Sequence, residues 1–435
     1  MTGKRVAILT LGCKVNQYDS AALAGAFLAQ GYELVATAKN ADICVVNTCS
    51  VTHLADRKSR QLLRRSVKAN PAAIVVAAGC YAQTAPEEVL ELPGVDLVYG
   101  VTNLAELTKL LEGWEKDKLP KQAVRSLDEL RGFEESDNLP ELGRTRAFLK
   151  IQDGCDNFCT YCIVPHARGR ARSRTPERVI ALAGELVAAG YREIVLTGVH
   201  IGAYGRDLPK TPSLADLLRS LIRIPGIERI RLGSVEPHDI TLDLVEVLSG
   251  SSILCRHLHI PLQSGSAAIL QRMGRRYTPG EYQKLIAALK TGIPGLGLTT
   301  DVIVGFPGET TEYFEQTYDL LSKCSFSKLH VFKYSPRTGT PAADYGDQVP
   351  AAVKEERSTL LLALGDQMAA DFAKSMVGQV LNVLVEGKAK ENPKLQEGLT
   401  DNYLRVLFPT TAAPPGAIHP MKITGAQGQT LLVER

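Results

Sequence analysis

The sequence lacks the features of a membrane protein, of a secreted disulfide-rich protein and of a strongly basic protein. None of its apolar stretches reaches the 18 or more residues that indicate a membrane-spanning helix. The opening MTGKRVAILTLGC has too short an apolar run for a signal peptide, and we interpret it as a first β-strand. The formal net charge is only +3, so any contact with RNA must be a local basic patch. We therefore expect a cytoplasmic protein without membrane contact.

The size and the cysteine content further restrict the class of protein. A chain of 435 residues with 45% hydrophobic and 22% charged residues is typical of a globular protein with two or three domains. Its nine cysteines are an odd number, and six of them fall into two groups. This grouping favours metal ligation in a reducing compartment over a disulfide framework.

Three of the cysteines form a C-x₃-C-x₂-C motif at Cys155, Cys159 and Cys162. Three thiolates so close together can hold three irons of a 4Fe–4S cluster and leave the fourth iron open to a ligand. The alternatives are a zinc site completed by His166, disulfides, or unliganded structural thiols. The motif is narrow, with the aromatic Tyr161 before the third cysteine, and it favours the cluster, which soft thiolates suit.

The N-terminal part, up to about residue 113, alternates strand-like and helical segments. The segments RVAILTL, ICVVNTC, AIVVAAGC and VDLVYG are predicted strands of an open parallel sheet, and a helix is predicted from Ser20 to Gln30. Cys13, Cys49 and Cys80 follow three of these strands, at the edge where such sheets bind ligands. Buried packing is the alternative for each cysteine alone, but together they favour a second, auxiliary cluster. We assign the remaining three to packing: Cys44, Cys255 and Cys324.

From Arg146 to about Tyr334 six strand-like segments alternate with helical ones and predict an incomplete (βα)6 barrel. The Cys155 loop follows its first strand, at the carboxyl rim where such barrels hold their active sites. Residues after later strands are candidates for cofactor binding, although glycine and serine are also ordinary turn residues. These candidates are Gly198, Ser234, Glu236 and Gly305.

Two basic segments are candidates for phosphate contact. Arg168, Arg170, Arg172 and Arg174 occur at every second position, which in an extended chain places all four guanidiniums on one side. The alternatives are pairing with internal carboxylates and a solvated loop. The helix after Cys49 carries an excess of positive charge, which favours phosphate binding over an ordinary solvated face. Its basic residues are Arg57, Lys58, Arg60, Arg64, Arg65 and Lys68, of which Arg60 and Arg64 are the principal RNA-binding candidates.

The last part of the chain changes from strand–helix alternation to short strands, which predicts a small β-barrel. The predicted order is an N-terminal domain at 1–113, a linker at 114–144, the barrel domain at 145–350, a connecting helix at 351–375, and the C-terminal barrel at 376–435.

Several motifs resemble the methylthiotransferases of the radical S-adenosylmethionine superfamily, over nearly the whole chain. They are LGCKVNQYDS, NTCSVT and AAGCYAQ in the N-terminal part, CDNFCTYCIVPHARGRARSR, GFPGET and YSPRTGTPA in the central part, and a C-terminal barrel similar to a TRAM domain. Lys14, Val15, Asn16 and Gln17 after the first cysteine resemble the MtaB-type branch of this family.

The resemblance implies a transferase that acts on N6-threonylcarbamoyladenosine beside the anticodon of tRNA and produces its 2-methylthio derivative. The alternatives within the family are N6-isopentenyladenosine in tRNA and, less favoured, a ribosomal protein. A non-catalytic tRNA-binding module with a structural metal is the alternative outside the enzymes.

The resemblance also implies two 4Fe–4S clusters and S-adenosylmethionine as cofactors. Cys155, Cys159 and Cys162 would hold the radical-generating cluster, beside Tyr161 and the other cofactor-binding candidates. The three N-terminal cysteines would hold the auxiliary cluster, and we expect the two open irons to face one cavity. An electron donor such as flavodoxin or ferredoxin and a sulfur donor are the further partners expected.

Overall fold

The computed structural model describes residues 3–102, 104–112, 121–135, 145–410 and 413–434. The chain divides into two compact units. The first contains Met1–Gly143, Lys150–Thr175 and Ser335–Ala343, and the second contains Arg144–Leu149, Pro176–Tyr334 and Asp344–Arg435. In the described part of the chain, no helix has the length and apolar character needed to cross a membrane.

The first unit is built on a six-stranded parallel sheet in the order β2-β1-β3-β4-β5-β6. The strands are β1 Arg5–Thr10, β2 Glu33–Leu34, β3 Ile43–Thr48, β4 Ile74–Gly79, β5 Leu97–Tyr99 and β6 Gln122–Ala123. The helices are α1 Lys14–Ala29, α2 His53–Ala69, α3 Cys80–Thr84, α4 Pro86–Leu90 and α5 Leu104–Leu110. All residues of β3 and β4 are buried, as expected for apolar strands in the middle of a parallel sheet. The predicted open parallel sheet is confirmed.

Two sequence predictions in this region were incomplete. The first helix begins at Lys14 and not at Ser20, because the polar Asn16 and Asp19 lie inside it, buried and hydrogen-bonded. The predicted linker at 114–144 lies partly outside the described residues. Its described part contributes β6, which pairs with β5 and extends the sheet.

Six further strands carry the predicted barrel pattern. They form two three-stranded sheets, β11-β10-β7 and β12-β13-β14. Two isolated bridges connect these sheets, one from Ile230 to Leu254 and one from Ser234 to His259. The strands are β7 Arg146–Lys150, β10 Glu193–Thr197, β11 Arg229–Leu232, β12 His257–His259, β13 Gly297–Val304 and β14 Lys328–Lys333, and the short pair β8 Gln152–Asp153 and β9 Arg172–Ser173 lies in the first unit. The helices are α6 Val164–Arg168, α7 Pro176–Ala188, α8 Leu214–Leu221, α9 Leu242–Ser249, α10 Ala267–Arg272, α11 Pro279–Gly292 and α12 Thr311–Cys324. The strand–helix alternation is the predicted one.

A long helix, α13 Ala351–Ser375, leads into a C-terminal sheet that curls into a half-barrel. Its strands are β15 Val380–Lys388, β16 Leu395–Thr400, β17 Arg405–Pro409, β18 Ile418–Lys422, β19 Gly425–Gln427 and β20 Thr430–Leu432. Alternating residues of β16 and β17 are buried, so one face of these strands is covered and the other is partly exposed. The predicted all-β C-terminal part is confirmed.

Buried charges fasten this C-terminal sheet to the amino ends of the barrel strands within the second unit. Glu193 at the start of β10 pairs with Arg229 at 3.1 Å and with Arg231 at 2.7 Å. Arg231 also donates hydrogen bonds to the carbonyl oxygens of Thr400 and Asp401, at 3.0 and 2.9 Å. Burial would raise the pKa of Glu193, but the two guanidiniums hold it below its ordinary value.

We expect Glu193→Gln to lower the free energy of unfolding by about 3–5 kcal/mol, because two buried guanidiniums lose their carboxylate. Urea unfolding followed by circular dichroism measures this. The control is Glu228→Gln, which removes the exposed Arg192–Glu228 pair and should cost less than about 1 kcal/mol. Equal unfolding midpoints for the two variants would contradict the proposed role of Glu193.

Candidate functional site

Cys13, Cys49 and Cys80 lie at the carboxyl ends of three adjacent strands, β1, β3 and β4. The sheet order places β2 on one side of β1 and β3 on the other, so the direction in which the chain crosses the sheet reverses at β1. Parallel sheets bind ligands outside the carboxyl ends of their strands at such a reversal. The topology therefore gathers three cysteines that are far apart in the sequence.

Two glycines let the chain turn closely into this site. Gly12 and Gly79 have φ values of 109° and 91°, which side chains disfavour. A Cβ atom on Gly12 would lie 3.1 Å from the Sγ atom of Cys49, and one on Gly79 would lie 2.3 Å from the Oδ1 atom of Asn47. A larger residue at either position would displace the cysteine that follows it or the loop beside it.

The side chain of Asn16 connects the cysteine loops. Its Nδ2 group donates hydrogen bonds to the carbonyl oxygens of Leu11 and Thr48, at 2.8 and 2.9 Å, and so ties the end of β1 to the end of β3. Its Oδ1 atom lies 3.9 Å from Cys13 Sγ and 3.8 Å from Cys80 Sγ. Asn16 therefore fixes the backbone on both sides of the site and approaches two of its thiols.

The thiols of Cys13, Cys49 and Cys80 are not drawn together as they would be around a single zinc ion. A tetrahedral zinc site brings sulfur atoms to within about 3.8 Å of one another. Among the described residues, only one trio of His, Cys, Asp or Glu ligand atoms lies within 4.8 Å of one another, and it includes no cysteine. Burial raises the pKa of Cys49 and raises that of Cys80 to about 12, although Arg168 opposes the shift. Both thiols therefore keep their protons until a metal displaces them.

The second set of cysteines lies on one compact loop. The Cys155 N–H donates to the Gly169 carbonyl at 3.0 Å, and the Cys162 N–H donates to the Cys159 carbonyl at 2.9 Å. The Asn157 N–H donates to Cys155 Sγ at 3.5 Å. Hydrogen bonds to cysteine sulfur are one means by which proteins adjust the potential of iron–sulfur clusters. The loop thus provides both three thiols and a backbone donor for one of them.

The other residues predicted for this loop lie beside the thiols. Tyr161 is partly buried in the turn between the second and third cysteines. Phe158 has a φ of 44°, uncommon for an aromatic residue, and its ring lies 6.0 Å from that of His166. His166 is exposed on α6 and belongs to no three-ligand group among the residues that the structure describes.

A buried network of four charges joins the two cysteine sets within the first unit. Lys150 Nζ lies 2.5 Å from Asp19 Oδ1 and 3.0 Å from Asp153 Oδ2. Arg168 lies 2.9 Å from Asp19 Oδ2 and 3.0 Å from Asp153 Oδ2. Burial would raise the pKa of Asp153, but Arg168 and Lys150 hold it well below its ordinary value. Because Asp19 is on α1 and Asp153 precedes Cys155, the network fastens one cysteine loop to the helix that follows the other.

The predicted strip of four exposed arginines is wrong. Arg168 ends α6 and Arg172 lies in β9, so the segment is not one extended strand. The exposed fractions of Arg168, Arg172 and Arg174 are 2%, 6% and 1%, which removes them as RNA contacts. Arg174 lies over the ring of Phe133, and Arg168 pairs with internal carboxylates, which was the alternative interpretation of this segment. Arg170 remains exposed.

The basic helix α2 has a mixed surface. Arg60 donates 2.8 Å hydrogen bonds to Glu88 and to the Tyr81 hydroxyl, so its guanidinium is held within the unit. Arg64 is exposed. The exposed basic residues around it are Arg57, Lys58, Arg65 and Lys68.

Sequence reasoning missed a contact between Arg337 and the loop that carries Cys49. Arg337 lies within residues 145–350, which were predicted as the barrel domain, yet its guanidinium is 2.6 Å from Asp56 and 2.8 Å from the Ser50 hydroxyl. Asp56 also accepts a hydrogen bond from Ser50 at 3.0 Å. No local signal in the sequence pairs residues this far apart.

In the second unit, the residues proposed to bind the cofactor lie just after barrel strands, as the sequence predicted. Gly198 follows β10, Ser234 lies two residues after β11 and is exposed, and Gly305 follows β13. Glu236 forms an ion pair with Arg275, a partner that the sequence did not indicate. Their role in cofactor binding stays a prediction.

Gly305 lies in a hydrogen-bonded turn after β13. Its N–H donates to Glu309 Oε1 at 2.7 Å, and that carboxylate pairs with Arg357 at 2.7 Å. The Gly305 N–H therefore has a partner within the second unit. Burial raises the pKa of Glu309, against the effect of this N–H and of Arg357.

A polar cluster that sequence reasoning did not identify lies after β10 and β11. The carboxylate of Asp239, which is fully buried, lies 2.5 Å from His200 Nε2 and also contacts Arg206. A Cβ atom on Gly202 would lie 2.5 Å from that carboxylate, so glycine is needed for the close approach. With His238, these residues form the one three-ligand group found in the described part of the chain. Because Arg206 and His200 already occupy both carboxylate oxygens, the cluster is complete without an ion.

Comparison with known proteins places both halves of the site in one family. The model described as "Uncharacterized protein family UPF0004" matches residues 5–100, and the model described as "Radical SAM superfamily" matches residues 149–321. The threonylcarbamoyladenosine tRNA methylthiotransferase MtaB of Bacillus subtilis is 46% identical over 424 residues, which cover 97% of this chain and 94% of that protein. The tRNA-2-methylthio-N(6)-dimethylallyladenosine synthase of Moorella thermoacetica is 39% identical and covers 98% of this chain and 96% of that protein.

The fold also has a solved counterpart. The radical S-adenosylmethionine methyltransferase TsrM from Kitasatospora setae, with cobalamin and a [4Fe-4S] cluster bound, matches with a TM-score of 0.58 at 17% identity. The match covers 95% of this chain and 82% of that one. At this identity the likeness concerns the fold alone.

We expect Asn16→Ala to reduce iron at Cys13, Cys49 and Cys80 by at least about half, because the ends of β1 and β3 lose their shared donor. Iron per chain, measured after anaerobic reconstitution of a variant lacking the other three cluster cysteines, tests this. The control is Asn70→Ala, which removes a similar side-chain hydrogen bond, from Asn70 at the C-terminal end of α2 to the Ala41 carbonyl, away from the cysteines. Unchanged iron in the Asn16 variant would show that this side chain does not organise the site.

Proposed function

Because this chain belongs to the radical S-adenosylmethionine tRNA methylthiotransferase family, we propose that it methylthiolates N6-threonylcarbamoyladenosine in tRNA. The substrate adenosine would lie next to the anticodon, and the product would be its 2-methylthio derivative. The observation that carries the proposal is the presence of two cysteine triads in the first unit, one of them at the sheet reversal. The name of the Bacillus subtilis relative at 46% identity supports the choice of substrate.

The reaction needs cofactor chemistry because the C2–H group of adenine is not acidic, and side-chain acid–base catalysis contributes only about 10²–10⁴-fold. When bound, the clusters and S-adenosylmethionine supply a 5′-deoxyadenosyl radical, a sulfur atom and a methyl group. Cys155, Cys159 and Cys162 would hold the cluster that binds S-adenosylmethionine. The other triad would hold the auxiliary cluster, and an electron donor and a sulfur donor complete the proposal.

The residues of the chain would bind and orient the reactants. Gly198 and Ser234 at the strand ends are the proposed contacts for S-adenosylmethionine, and Glu236 would act together with Arg275. The Asn16 hydrogen bonds would hold the auxiliary cysteine loops in place. These are positioning roles, since the protein contributes geometry and the cofactors contribute the chemistry.

The proposed RNA contacts are the exposed cations of the first unit and the C-terminal half-barrel. Arg64 and Arg170 are exposed and present guanidiniums that suit phosphate oxygens. The target base must leave the stack of the anticodon loop, which costs less in a loop than in a duplex. Binding through such contacts weakens as salt increases, because counterions compete for the phosphates.

We expect the reconstituted protein to methylthiolate an anticodon stem-loop RNA that carries threonylcarbamoyladenosine. The same RNA with isopentenyladenosine or unmodified adenosine should react at least about tenfold more slowly, since ligand differences of this size are worth about 1–3 kcal/mol. Mass spectrometry of the digested nucleosides measures the products. Faster reaction of the isopentenyl RNA would replace the proposed substrate with that of the dimethylallyladenosine synthases.

Replacement of Cys13, Cys49 and Cys80 by alanine should leave about half the iron of the native protein. The variant should still cleave S-adenosylmethionine after chemical reduction but form no methylthio product. The chain offers a matched control in its three other cysteines, all buried in packing, whose replacement should leave the iron content unchanged: Cys44, Cys255 and Cys324. Equal iron in the first variant and the native protein would reject the auxiliary cluster.

A further inference from the structure

We propose that Arg168 is the cation that sets the reduction potential of the auxiliary cluster, and that Asp19 and Asp153 hold it in position. The inference rests on the proposed function, since it takes Cys13, Cys49 and Cys80 as ligands of that cluster. Arg168 is a positioning residue: its charge acts on the cluster, and it does not itself react.

The location of Arg168 is the first argument. It ends the helix that follows the Cys155 loop, yet its Nη2 group donates to the Oδ1 atom of Asn16 at 2.7 Å. The same oxygen atom lies 3.8 Å from Cys80 Sγ and 3.9 Å from Cys13 Sγ. A residue that follows one cysteine loop therefore contacts the side chain that lies against two thiols of the other set.

The charge and burial of Arg168 are the second argument. Three thiolates outweigh the positive charge of an oxidised 4Fe–4S core, so the loaded site is anionic and becomes more so on reduction. The Arg168 side chain is 3% exposed, and in such surroundings a charge acts more strongly than in water. A guanidinium stays protonated in proteins. A nearby fixed cation favours the reduced cluster, because net charge and hydrogen bonds to sulfur determine the potential.

The anchoring of Arg168 is the third argument. Its Nη1 group donates to both oxygens of Asp153, at 3.2 and 3.0 Å, and its Nη2 group lies 2.9 Å from Asp19. Lys150 shares these two carboxylates, so the network without the cluster is neutral. The two carboxylates therefore hold the guanidinium in one orientation, toward Asn16.

The first test uses the chain with Cys155, Cys159 and Cys162 replaced by alanine, so that the auxiliary cluster alone can become paramagnetic. The protein is labelled with ¹⁵N-arginine, reconstituted with iron and sulfide, and reduced with dithionite. We expect electron–nuclear coupling from arginine nitrogen to the cluster, and its loss in Arg168→Lys. Absence of arginine coupling in the first protein overturns the proposal.

The second test compares Asp19→Asn with Asp19→Asn/Arg168→Gln in the same background. Because both proteins carry the amide in place of the Asp19 carboxylate, removal of the arginine leaves no unpaired charge at that position. At one fixed solution potential, the ratio of reduced to oxidised cluster should fall by about tenfold in the double variant. An iron-loaded double variant with an unchanged ratio overturns the proposal, and if the double variant holds no iron, the nitrogen coupling decides.

Another buried arginine serves as the control, and the iron content separates failure of the auxiliary cluster from failure of the Arg168 proposal. Arg231→Gln in the same background removes another buried guanidinium, one paired with Glu193 in the second unit, and should leave the ratio unchanged. If the background protein holds no iron at all, the auxiliary cluster itself is rejected. If it holds iron but shows no arginine coupling, or if the ratio does not change in the iron-loaded double variant, only the role of Arg168 is rejected.

Discussion

The first unit depends on a buried square of two cations and two carboxylates formed by Lys150, Arg168, Asp19 and Asp153. Removing one member of such a network is costly, by about 3–5 kcal/mol, because its partner is left as an uncompensated charge. The square forms only when α1, the end of β7 and the loop of the second triad are all in place. It therefore fixes the position of one set of thiols with respect to the other.

The strand order adds a second constraint, which acts through the backbone. A parallel sheet places the carboxyl ends of its strands at one edge, and the reversal at β1 leaves an opening there. A glycine with positive φ precedes two of the three cysteines, Cys13 and Cys80, and lets the chain turn closely into this opening. The same edge also receives Arg337, whose partner Asp56 lies near the start of α2. Backbone topology thus supplies the position of the site, and buried ion pairs hold it.

The strands and the two cysteine triads could be predicted because their signals are local. Apolar runs such as ICVVNT define strands within a few residues, and the cysteines follow those runs directly. Arg168 could not be assigned in this way, because its partner Asp19 is 149 residues away in the sequence. The every-second-residue pattern of the arginines assumed an extended chain, whereas a helix and a short hairpin strand divide the segment. The early start of α1 was missed because Asn16 and Asp19 are polar, and only tertiary contacts explain their burial.

The discontinuous make-up of the first unit has a consequence for biosynthesis. Domains generally fold as units, beginning with the N-terminal part during translation. Here the sheet is encoded by the first part of the chain, but Ser50 receives a hydrogen bond from Arg337, 287 residues later. Asp19 therefore waits for its cationic partners until Lys150 and Arg168 have been synthesised, and Asp56 waits until Arg337 has been. The nascent N-terminal sheet therefore lacks two sets of buried ion pairs, which become available one after the other as the segments with Arg168 and Arg337 emerge.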